Sequence, residues 1–391
     1  MAALFHDKAD QFIKGRVDIF DRLAEAKIAK HKPIWFHCAS LGEFEQARSL
    51  IDGLHAQGEK ILLTFFSPSG YKIRKEYPAA DWVFYLPLDS RKNAATFLQY
   101  TNPKLAVFVK YDLWYFYLHQ LQQHHVPTYL ISALYVPNQV YFRPWLGKLH
   151  RRMLNMFAHI YLQNKESDEL LREVNITHTS VVGDTRVDSV QKRAKEARSF
   201  LSVERFLAGQ KAIVLGSAYA QEVAILKESL PKLDGEKIII APHEINEPNI
   251  VKLQKILNHD SIRYSDIDGL KRTDNVLFID NIGMLFHLYR YAKLVYIGGG
   301  HGSGLHNTLE PAAYGVPICF GPKYDNFVEA KEMVNRNCAF VVHSSKELNS
   351  VYASLKSDDL YNRVTKTIET YMLESQGAST RILEDILTKI D

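Results

Sequence analysis

Short apolar runs alternate with longer amphipathic segments along most of the chain, and this alternation predicts its elements. The predicted strands lie at 34–38, 60–65, 81–85, 104–109, 128–132, 159–163, 179–183, 212–216, 237–241, 275–280, 294–298, 316–320 and 339–343. Most of them are continuously apolar, which is typical of strands buried on both faces of a parallel sheet. The segments between them have helical period, so we predict an α/β protein with doubly wound parallel sheets.

This alternation is interrupted near 188–210 by a polar, charged and helix-prone stretch. A chain of 391 residues also exceeds what one hydrophobic core usually holds. We therefore predict two Rossmann-like domains, 1–195 and 196–391. The strand ends of both are expected to face a central cleft, since open α/β sheets bind ligands there. For the last helix, packing back on the first domain is an open alternative.

Composition narrows the function classes. With 46% hydrophobic and 24% charged residues the chain folds, and a net charge of +4 is too small to indicate nucleic-acid binding. Cys38, Cys319 and Cys338 form no CxxC motif and predict reduced thiols in a cytoplasmic protein. No apolar run reaches the roughly 18 residues of a membrane span, and the first residues lack the apolar core of a secretion signal.

The strongest candidate for chemistry is the block 296–322, which reads strand, glycine-rich loop, helix, strand. Five of the seven residues from Gly298 to Gly304 are glycine, which allows a backbone to approach a ligand closely. Asn307 or Thr308 would cap the following helix, whose free amide groups favour a phosphate. Glu310 could then accept hydrogen bonds from sugar hydroxyls. The alternative is a tight turn with a glutamate stabilised by the helix dipole.

Shorter loops follow other strands of the second half, and their polar residues are expected at the same edge of the sheet. They contribute Ser217, His243, Asn281 and Gly283, and together with the glycine-rich loop they predict a nucleotide pocket. His301, His306 and Glu310 suggest no chelating geometry, so we predict no metal and no cofactor. The imidazoles are better suited to donate to phosphate or carboxylate.

In the first half, a tight turn and a helix follow the strand 34–38. Ser40 is a good N-cap, Gly42 permits close approach, and Glu43 completes a capping box. The functional alternative places the Glu43 carboxylate at the cleft, as a general base for a hydroxyl nucleophile. The residues alone leave both interpretations open.

The segment 141–152 is basic and aromatic and contains no acidic residue. Such a surface suits an anionic lipid headgroup, although a solvated helix face is an equal alternative. Its basic residues are Arg143, Lys148, Arg151 and Arg152. Separately, Arg186 follows a strand near the predicted hinge, where it could reach a negative charge on the ligand.

Several motifs occur in the order seen in the 3-deoxy-D-manno-oct-2-ulosonic acid (Kdo) transferases of lipopolysaccharide synthesis. They are HCASLGEFEQA, VKYDLW, YLQNKESD, GDTRVD, IAPHE, IDNIGMLFHLYRYA and GGGHGSGLHNTLEPAAYGVPICFGPKYDNFVEA. The chain resembles that family over nearly its whole length. The resemblance implies a GT-B fold, and inverting transfer of Kdo from CMP-Kdo to a lipid A precursor (lipid IVA). It also implies work at the cytoplasmic face of the Gram-negative inner membrane.

The resemblance also implies roles for individual residues. Glu43 would be the base, and Arg186 is our candidate for the Kdo carboxylate. The remaining donor-binding candidates are Ser217, His243, Asn281, Gly283, Gly300, His306, Asn307 and Glu310. The acceptor-binding candidates are Ser40, Gly42, Arg143, Arg151 and Arg152. The chain departs from the family pattern at Lys110, where an acidic residue is usual, at His243-Glu244, and in the GDTR motif.

Members of this family commonly begin with a short hydrophobic anchor before a segment like KADQFIKGR, which here lies at 8–16. We expect either that an anchor has been removed or that 141–152 docks on the inner leaflet. The rival interpretations are another GT-B enzyme, such as a UDP-sugar transferase or epimerase, and a non-catalytic nucleotide-sugar-binding protein. The ASLGE setting of Glu43 argues against the binding protein, since such a module needs no base.

Overall fold

The computed structural model describes residues 10–143, 145, 147–302 and 304–390. The chain forms two compact units, the first from Met1–Ser189 and Ser375–Asp391 and the second from Val190–Glu374. The start of KADQFIKGR, Lys8 and Ala9, lies outside the described residues. The last helix of the chain belongs to the first unit.

In its described residues, the first unit contains a seven-stranded parallel sheet of order β3-β2-β1-β4-β5-β6-β7. The strands are β1 Ile34–Cys38, β2 Ile61–Phe65, β3 Trp82–Tyr85, β4 Leu105–Val109, β5 Thr128–Ala133, β6 His159–Leu162 and β7 Thr179–Val181. The helices between them are α1 Ile19–Glu25, α2 Leu41–Ala56, α3 Pro68–Arg74, α4 Arg91–Thr101, α5 Tyr115–Gln123, α6 Gly147–Leu154 and α7 Lys165–Glu173. Short 3₁₀ turns occupy Ile28–His31 and Val140–Phe142.

Helix α8, Thr185–Lys195, contains the boundary between the units. The described part of the second unit holds a seven-stranded parallel sheet of order β10-β11-β9-β8-β12-β13-β14. Its strands are β8 Ala212–Ala218, β9 Lys237–Pro242, β10 Ile262–Arg263, β11 Val276–Phe278, β12 Ala292–Ile297, β13 Ile318–Phe320 and β14 Ala339–Val341. Its helices are α9 Leu201–Leu207, α10 Ala220–Ser229, α11 Glu247–Leu257, α12 Leu285–Leu288, α13 Leu309–Ala312, α14 Val328–Asn335, α15 Ser345–Ser354 and α16 Asp358–Glu374. Its 3₁₀ turns are Leu230–Lys232, Tyr264–Gly269 and Tyr289–Tyr291.

Burial of both sheet faces explains the continuously apolar strands. In β1, Trp35 packs into one cluster of core residues and Phe36 into another, because successive side chains point to opposite faces. The second cluster also takes Ile382 and Ile386 from the chain's last helix, α17 Ala378–Ile390. The prediction of an α/β chain with two parallel sheets is confirmed.

Each sheet has a switch point, where the strand order reverses between two neighbouring central strands, and the candidate residues lie on loops at these points. In the first sheet the reversal lies between β1 and β4, and in the second it lies between β8 and β12. Loops at the carboxyl ends of the strands diverge at such a point and leave a crevice that binds ligands in open α/β sheets. Glu43 follows β1, whereas Ser217 ends β8 and the glycine-rich loop follows β12.

Candidate functional site

Glu43 is held by the start of α2. Ser40 is the N-cap, and its Oγ accepts a hydrogen bond from the Glu43 backbone N–H at 3.4 Å. Glu43 Oε2 accepts from the Ser40 backbone N–H at 2.8 Å, which completes the capping box. A Cβ at Gly42 would meet only Ser40 Oγ, at 3.8 Å, so the space beside the helix start is open. The capping interpretation of Glu43 is therefore a real feature of the fold.

A second carboxyl, Asp112, lies beside Glu43. Asp112 Oδ2 accepts from the Ala39 backbone N–H at 3.2 Å. Burial raises the pKa of Glu43, against hydrogen bonds from Ser40 and the charge of Lys110. Burial and the charge of Glu43 raise the pKa of Asp112 to about 8. Two interacting, part-buried carboxyls of this kind are a recurrent feature of acid–base sites.

Sequence reasoning missed Asp112 and the buried His37 next to it. In the sequence, Asp112 lies in the VKYDLW motif and His37 lies in the predicted strand 34–38, and neither position indicates a role in the site. The available signal was His37 itself, a polar residue inside the otherwise apolar strand β1. Its Nε2 lies 3.6 Å from Asp112 Oδ2.

Lys110 and Arg186 supply positive charge to the first unit's candidate residues. Arg186 Nε and Nη2 donate to Asp184 Oδ2 at 2.9 and 2.6 Å. Burial would raise the pKa of Asp184, but the ion pair with Arg186 and the charge of Lys110 lower it below its usual value. Arg186 therefore shares its charge with Asp184. Lys110 follows β4 with φ of 57°, a left-handed conformation that is uncommon outside glycine and that occurs at functional sites.

In the second unit, the glycines of the loop after β12 are required by backbone packing. A Cβ at Gly298 would lie 2.1 Å from the carbonyl oxygen of Ser217, and one at Gly300 would lie 2.6 Å from the backbone nitrogen of Gly321. Ser217 itself has φ of 53°. These contacts bring the ends of β8, β12 and β13 against one another. The loop therefore presents its backbone at the switch point without side chains in the way.

Glu222 anchors this loop and was also missed from the sequence. Its side chain is almost fully buried, and Oε1 accepts from the Gly299 N–H at 2.9 Å. Oε2 accepts from the Tyr219 N–H at 3.1 Å. The Gly299 amide of the glycine-rich loop therefore already donates to a protein group, the Glu222 carboxylate. The sequence signal was a glutamate in the first turn of the helix after β8.

Two of the predicted histidines come together in a stack with Tyr219. The ring centroids of Tyr219 and His243 are 4.7 Å apart, and those of His243 and His306 are 4.5 Å apart. Tyr219 Oη lies 3.1 Å from His306 Nε2. Burial and the neighbouring His243 lower the pKa of His306 to about 4, so His306 is neutral at pH 7. Either Tyr219 Oη or His306 Nε2 can donate in this contact, and with Tyr219 as the donor the neutral imidazole carries its proton on Nδ1.

The helix after the glycine-rich loop is very short. Helix α13 has four residues, and Asn307 Oδ1 caps it by accepting from the Leu309 N–H at 3.0 Å. One helical turn carries little dipole, so the anion-binding argument moves to the loop amides and the imidazoles. Glu310 is 3.5 Å from Arg193, whose guanidinium lies over a phenylalanine ring.

Asn281 and Gly283 follow β11, as predicted. Gly283 has φ of 95°, and a Cβ there would meet nothing within 4 Å, so its conformation is what favours glycine. Asn281 Oδ1 is buried without a hydrogen-bond partner among the described residues. A buried acceptor of this kind is costly unless a ligand or water donates to it.

The basic segment 141–152 divides into inward and outward residues. Arg151 Nη1 donates to the carbonyls of Tyr141 and Arg143 at 2.7 and 3.3 Å and so holds the loop. The side chains of Arg143 and Arg152 are exposed, and so is Trp145 at 86%. Arg151 therefore has a structural contact within the loop, whereas the side chains of Arg143 and Arg152 face the solvent.

Two searches cover the described part of the chain only. Within it, no three His, Cys, Asp or Glu side chains lie close enough together to hold a metal ion. Within it too, no helix is both long and apolar enough to cross a membrane. Cys38, Cys319 and Cys338 are free thiols, and all three are buried.

Comparison with known proteins shows which fold and which sequence family the chain is similar to. A crystal structure of UDP-GlcNAc 2-epimerase from Neisseria meningitidis matches with a TM-score of 0.65 and 16% identity, covering 91% of this chain and 100% of that one. The fold is thus the GT-B-like fold predicted. The sequence model described as "3-Deoxy-D-manno-octulosonic-acid transferase (kdotransferase)" matches residues 16–189.

Curated relatives extend that match. A 3-deoxy-D-manno-octulosonic acid transferase of Haemophilus influenzae is 25% identical over 378 residues, covering 90% of this chain and 86% of that protein. A bifunctional glycosyltransferase/methyltransferase of Fusobacterium nucleatum is 27% identical over 342 residues, covering 83% of this chain. The match spans only 53%, about half, of that bifunctional relative.

The fold and these relatives together define a glycosyltransferase. Residues 16–189 match the family model of the Kdo transferases, and the chain is similar to curated Kdo transferases over most of its length, at 25–26% identity.

Proposed function

We propose that the chain transfers Kdo from CMP-Kdo to a lipid A precursor, with inversion at the anomeric carbon and Glu43 as the general base. The observation that carries the proposal is the environment of Glu43. Its carboxyl is fixed by the capping box, and the pair that it forms with Asp112 has raised pKa values at the switch point of the first sheet. A cap alone does not require a second, part-buried carboxyl beside it.

In the proposed reaction, an acceptor hydroxyl attacks C2 of Kdo while Glu43 takes the hydroxyl proton. The new oxygen–C2 bond forms on the face opposite the departing CMP, whose C2–oxygen bond breaks with its electron pair going to the phosphate. A general base of this kind typically contributes about 10²- to 10⁴-fold to the rate. Lys110 keeps a positive charge near the carboxyls and favours the ionised form of Glu43.

The second unit supplies the groups proposed to hold the donor. The glycine-rich loop and Gly300 offer backbone, and neutral His306 offers an Nδ1–H donor for the departing phosphate. The flat rings of Tyr219 and His243 suit a nucleobase or sugar face. Ser217, Asn281, Gly283, Asn307 and Glu310 complete the proposed donor residues.

For the carboxylate of Kdo, the cations of the first unit are the proposed partners. Arg186 is already bound to Asp184, and Lys110 lies near Glu43. We assign the carboxylate to the combined field of both cations. Ser40 and Gly42, in the open space at the start of α2, are proposed to contact the acceptor.

The acceptor is a lipid, and we propose that Arg143 and Arg152 meet its anionic surroundings at the cytoplasmic face of the inner membrane. Lys148, whose ammonium lies 5.4 Å from the ring centroid of Trp145, joins them in an exposed basic and aromatic surface. Side chains of these two kinds bind anionic interfaces together. Arg151 is proposed to shape this surface, since it donates to backbone carbonyls.

Donor choice tests the function. The protein is incubated with freshly generated CMP-Kdo and a tetraacylated lipid A precursor, with UDP-GlcNAc in a parallel reaction. Mass spectrometry should show the precursor gaining Kdo, and NMR of the new linkage should show the inverted anomer. Turnover of UDP-GlcNAc with no Kdo product would reject the proposal in favour of the UDP-sugar enzymes.

A further inference from the structure

His37 lies within an apolar strand, and its neighbours indicate which of its two ring nitrogens carries the proton. The residue is fully buried in β1. Its Nδ1 lies 2.9 Å from Thr64 Oγ1, and its Nε2 faces Asp112 Oδ2 at 3.6 Å. Thr64 Oγ1 donates to the Phe36 carbonyl at 3.3 Å and accepts from Trp35 Nε1 at 2.8 Å. We assign the single hydroxyl proton of Thr64 to the Phe36 carbonyl, and the Thr64 oxygen then accepts from Nδ1–H of His37.

This tautomer directs the lone pair of His37 Nε2 at Asp112. Burial lowers the pKa of His37 to about 3, so the ring is neutral at working pH and Nε2 can only accept. Nε2 has no hydrogen-bond partner within bonding distance among the described residues. The Asp112 carboxyl satisfies it by a short approach only when that carboxyl carries a proton. A carboxylate in the same place would face a lone pair, which is repulsive.

Asp112 has a second reason to keep its proton, which is the neighbouring Glu43. Two carboxyls that interact in a buried site resist a second negative charge, so one of them stays protonated over a wide pH range. Glu43 accepts hydrogen bonds at the start of α2 and is near Lys110, both of which favour its ionised form. Asp112 accepts one backbone N–H, from Ala39. Because Glu43 has more groups nearby that favour a negative charge than Asp112 has, we assign the charge to Glu43 and the proton to Asp112.

We propose that Asp112 is a positioning residue that keeps one proton beside Glu43 and donates it toward His37, so that the two carboxyls carry a single charge and Glu43 is the ionised one. The proposal rests on the role of Glu43 as the base in the proposed function. Its consequence is a base that is ionised although part-buried, with its partner kept neutral. In this proposal Asp112 acts through Glu43.

The other titratable groups around this pair leave that assignment intact. Cys38 on β1 and Tyr141 on the turn Val140–Phe142 are kept neutral by burial, which raises the pKa of each thiol or phenol. Arg16 lowers the pKa of His37 further. Lys110 is the cation that acts on Glu43, and it acts on Asp184 as well.

Carboxyl titration by NMR tests the proposal without substrate. The protein is prepared with ¹³C-labelled aspartate and glutamate side chains as the parent, Asp112→Asn and Glu43→Gln. The parent should show one carboxyl titrating near pH 8. That titration should disappear in Asp112→Asn and move to lower pH in Glu43→Gln, which removes the neighbouring charge.

Asp89→Asn is the matched control. Asp89 is another part-buried carboxyl of the same unit whose pKa is raised by burial, and it accepts from the backbone N–H groups of Phe116 and Tyr117. Its replacement should leave the titration near pH 8 in place. A parent in which every carboxyl titrates below about pH 6, close to ordinary values, would overturn the proposal. So would a high-pH titration that survives in Asp112→Asn.

A second readout applies even if Asp112→Asn does not fold. Imidazole ¹⁵N shifts of the parent should show His37 as the neutral Nδ1–H tautomer at pH 7, with the Nε2 signal moving as Asp112 ionises near pH 8. The opposite tautomer at pH 7 would overturn the proposal. Because both readouts need no donor or acceptor, they can succeed or fail separately from Kdo transfer.

If transfer is observed, the kinetic profile adds a functional readout. Ionisation of Asp112 places a second negative charge beside Glu43, which disfavours an anionic donor. In the parent, kcat/KM for CMP-Kdo should therefore fall above about pH 8. In Asp112→Asn this alkaline fall should be absent. Superimposable profiles of the two proteins would contradict the proposal.

Discussion

At the scale of single residues, the glycine-rich loop depends on atoms that side chains would displace. A Cβ at Gly300 would lie 2.6 Å from the backbone nitrogen of Gly321, whereas one at Gly302 would meet nothing within 4 Å. A backbone neighbour cannot rotate away as the end of a flexible side chain can. Glycine is therefore required at one position of the loop and dispensable at the other.

Gly300→Ala should weaken CMP binding at least tenfold and lower the melting temperature, because the loops after β12 and β13 must separate. Gly302→Ala, the matched control, should change neither. Calorimetric titration with CMP and thermal unfolding of both variants measure this. Equal CMP affinity in the two variants would mean that the loop does not hold the nucleotide.

The charge state of Asp112 also predicts a pH dependence of stability. The pKa of Asp112 is about 8 in the folded protein and 3.8 in its ordinary state, so the folded state binds the extra proton between these values. This contribution is fully present below pH 3.8 and is lost as the pH rises toward 8.

The unfolding free energy of the parent, relative to Asp112→Asn, should therefore fall between pH 6.5 and 8 by up to about 1.4 kcal/mol per pH unit. His37, with a pKa of about 3, affects both proteins equally and mainly below pH 6.5. Urea unfolding at several pH values measures the difference. A difference that is constant with pH would place Asp112 at its ordinary pKa.

At the scale of secondary-structure elements, the last helix completes the core of the first unit. Ile382 and Ile386 of α17 are fully buried with residues of β1 and β2. The Asp188 carboxylate accepts from the Gly377 and Ser379 N–H groups at 2.6 and 2.7 Å, which ties down the start of this helix. A helix that begins 340 residues after the end of β1 is thus part of its packing.

Ile386→Ala should destabilise the first unit by about 2–5 kcal/mol, the usual cost of a cavity at a buried isoleucine. Glu384→Ala, at an exposed position of the same helix, should cost little. Chemical denaturation followed by the fluorescence of the buried Trp35 reports on this unit. A neutral Ile386→Ala would show that α17 is not part of the folding core.

The sequence predicts the long, continuously apolar elements well and the short ones poorly. Strands β1 and β8 were predicted because their apolar runs are long enough to be distinguished from loops. Strand β10, Ile262–Arg263, has two part-exposed residues and no such run, so it was missed. The helix predicted after the glycine-rich loop is present as α13, but it has only four residues, a length that the capping residues do not specify.

In the candidate site too, contacts between residues close in sequence can be predicted, whereas contacts between distant residues cannot. The capping box of Glu43 is local, since Ser40 and Glu43 are three residues apart, and the sequence predicts it. The partner Asp112 is bound to Ala39 across 73 positions, and His37 faces it across a similar gap. Such contacts depend on strand order in the sheet, which the apolar pattern of single strands does not specify.

At the scale of the whole molecule, one exposed surface is proposed to meet the membrane that would hold a lipid acceptor, and it is formed by Arg143, Trp145, Lys148, Leu149 and Arg152. The indole of Trp145 is 86% exposed and Leu149 is 52% exposed, beside three exposed basic side chains. Aromatic and aliphatic groups can enter the headgroup region while the cations meet anionic lipids. Burying such groups in a lipid surface stabilises the bound state.

In flotation with vesicles containing phosphatidylglycerol, the charge reversal Arg143→Glu/Arg152→Glu should reduce binding at least tenfold at low salt. Arg363→Glu/Lys366→Glu reverses two charges on α16 of the second unit and is the matched control. Neutral phosphatidylcholine vesicles should bind neither variant differently from the parent. Equal flotation of the two variants on anionic vesicles would show that this surface does not bind the membrane.

The account as a whole depends on Glu43 acting as a base and not only as a cap. Glu43→Gln separates the two roles, because the amide oxygen can still accept from the Ser40 N–H while the side chain can no longer take a proton. We expect the melting temperature of Glu43→Gln to match that of the parent, and its rate of Kdo transfer from CMP-Kdo to be at least about 100-fold lower. Transfer at similar rates by both proteins would reduce Glu43 to its capping role and contradict the mechanism.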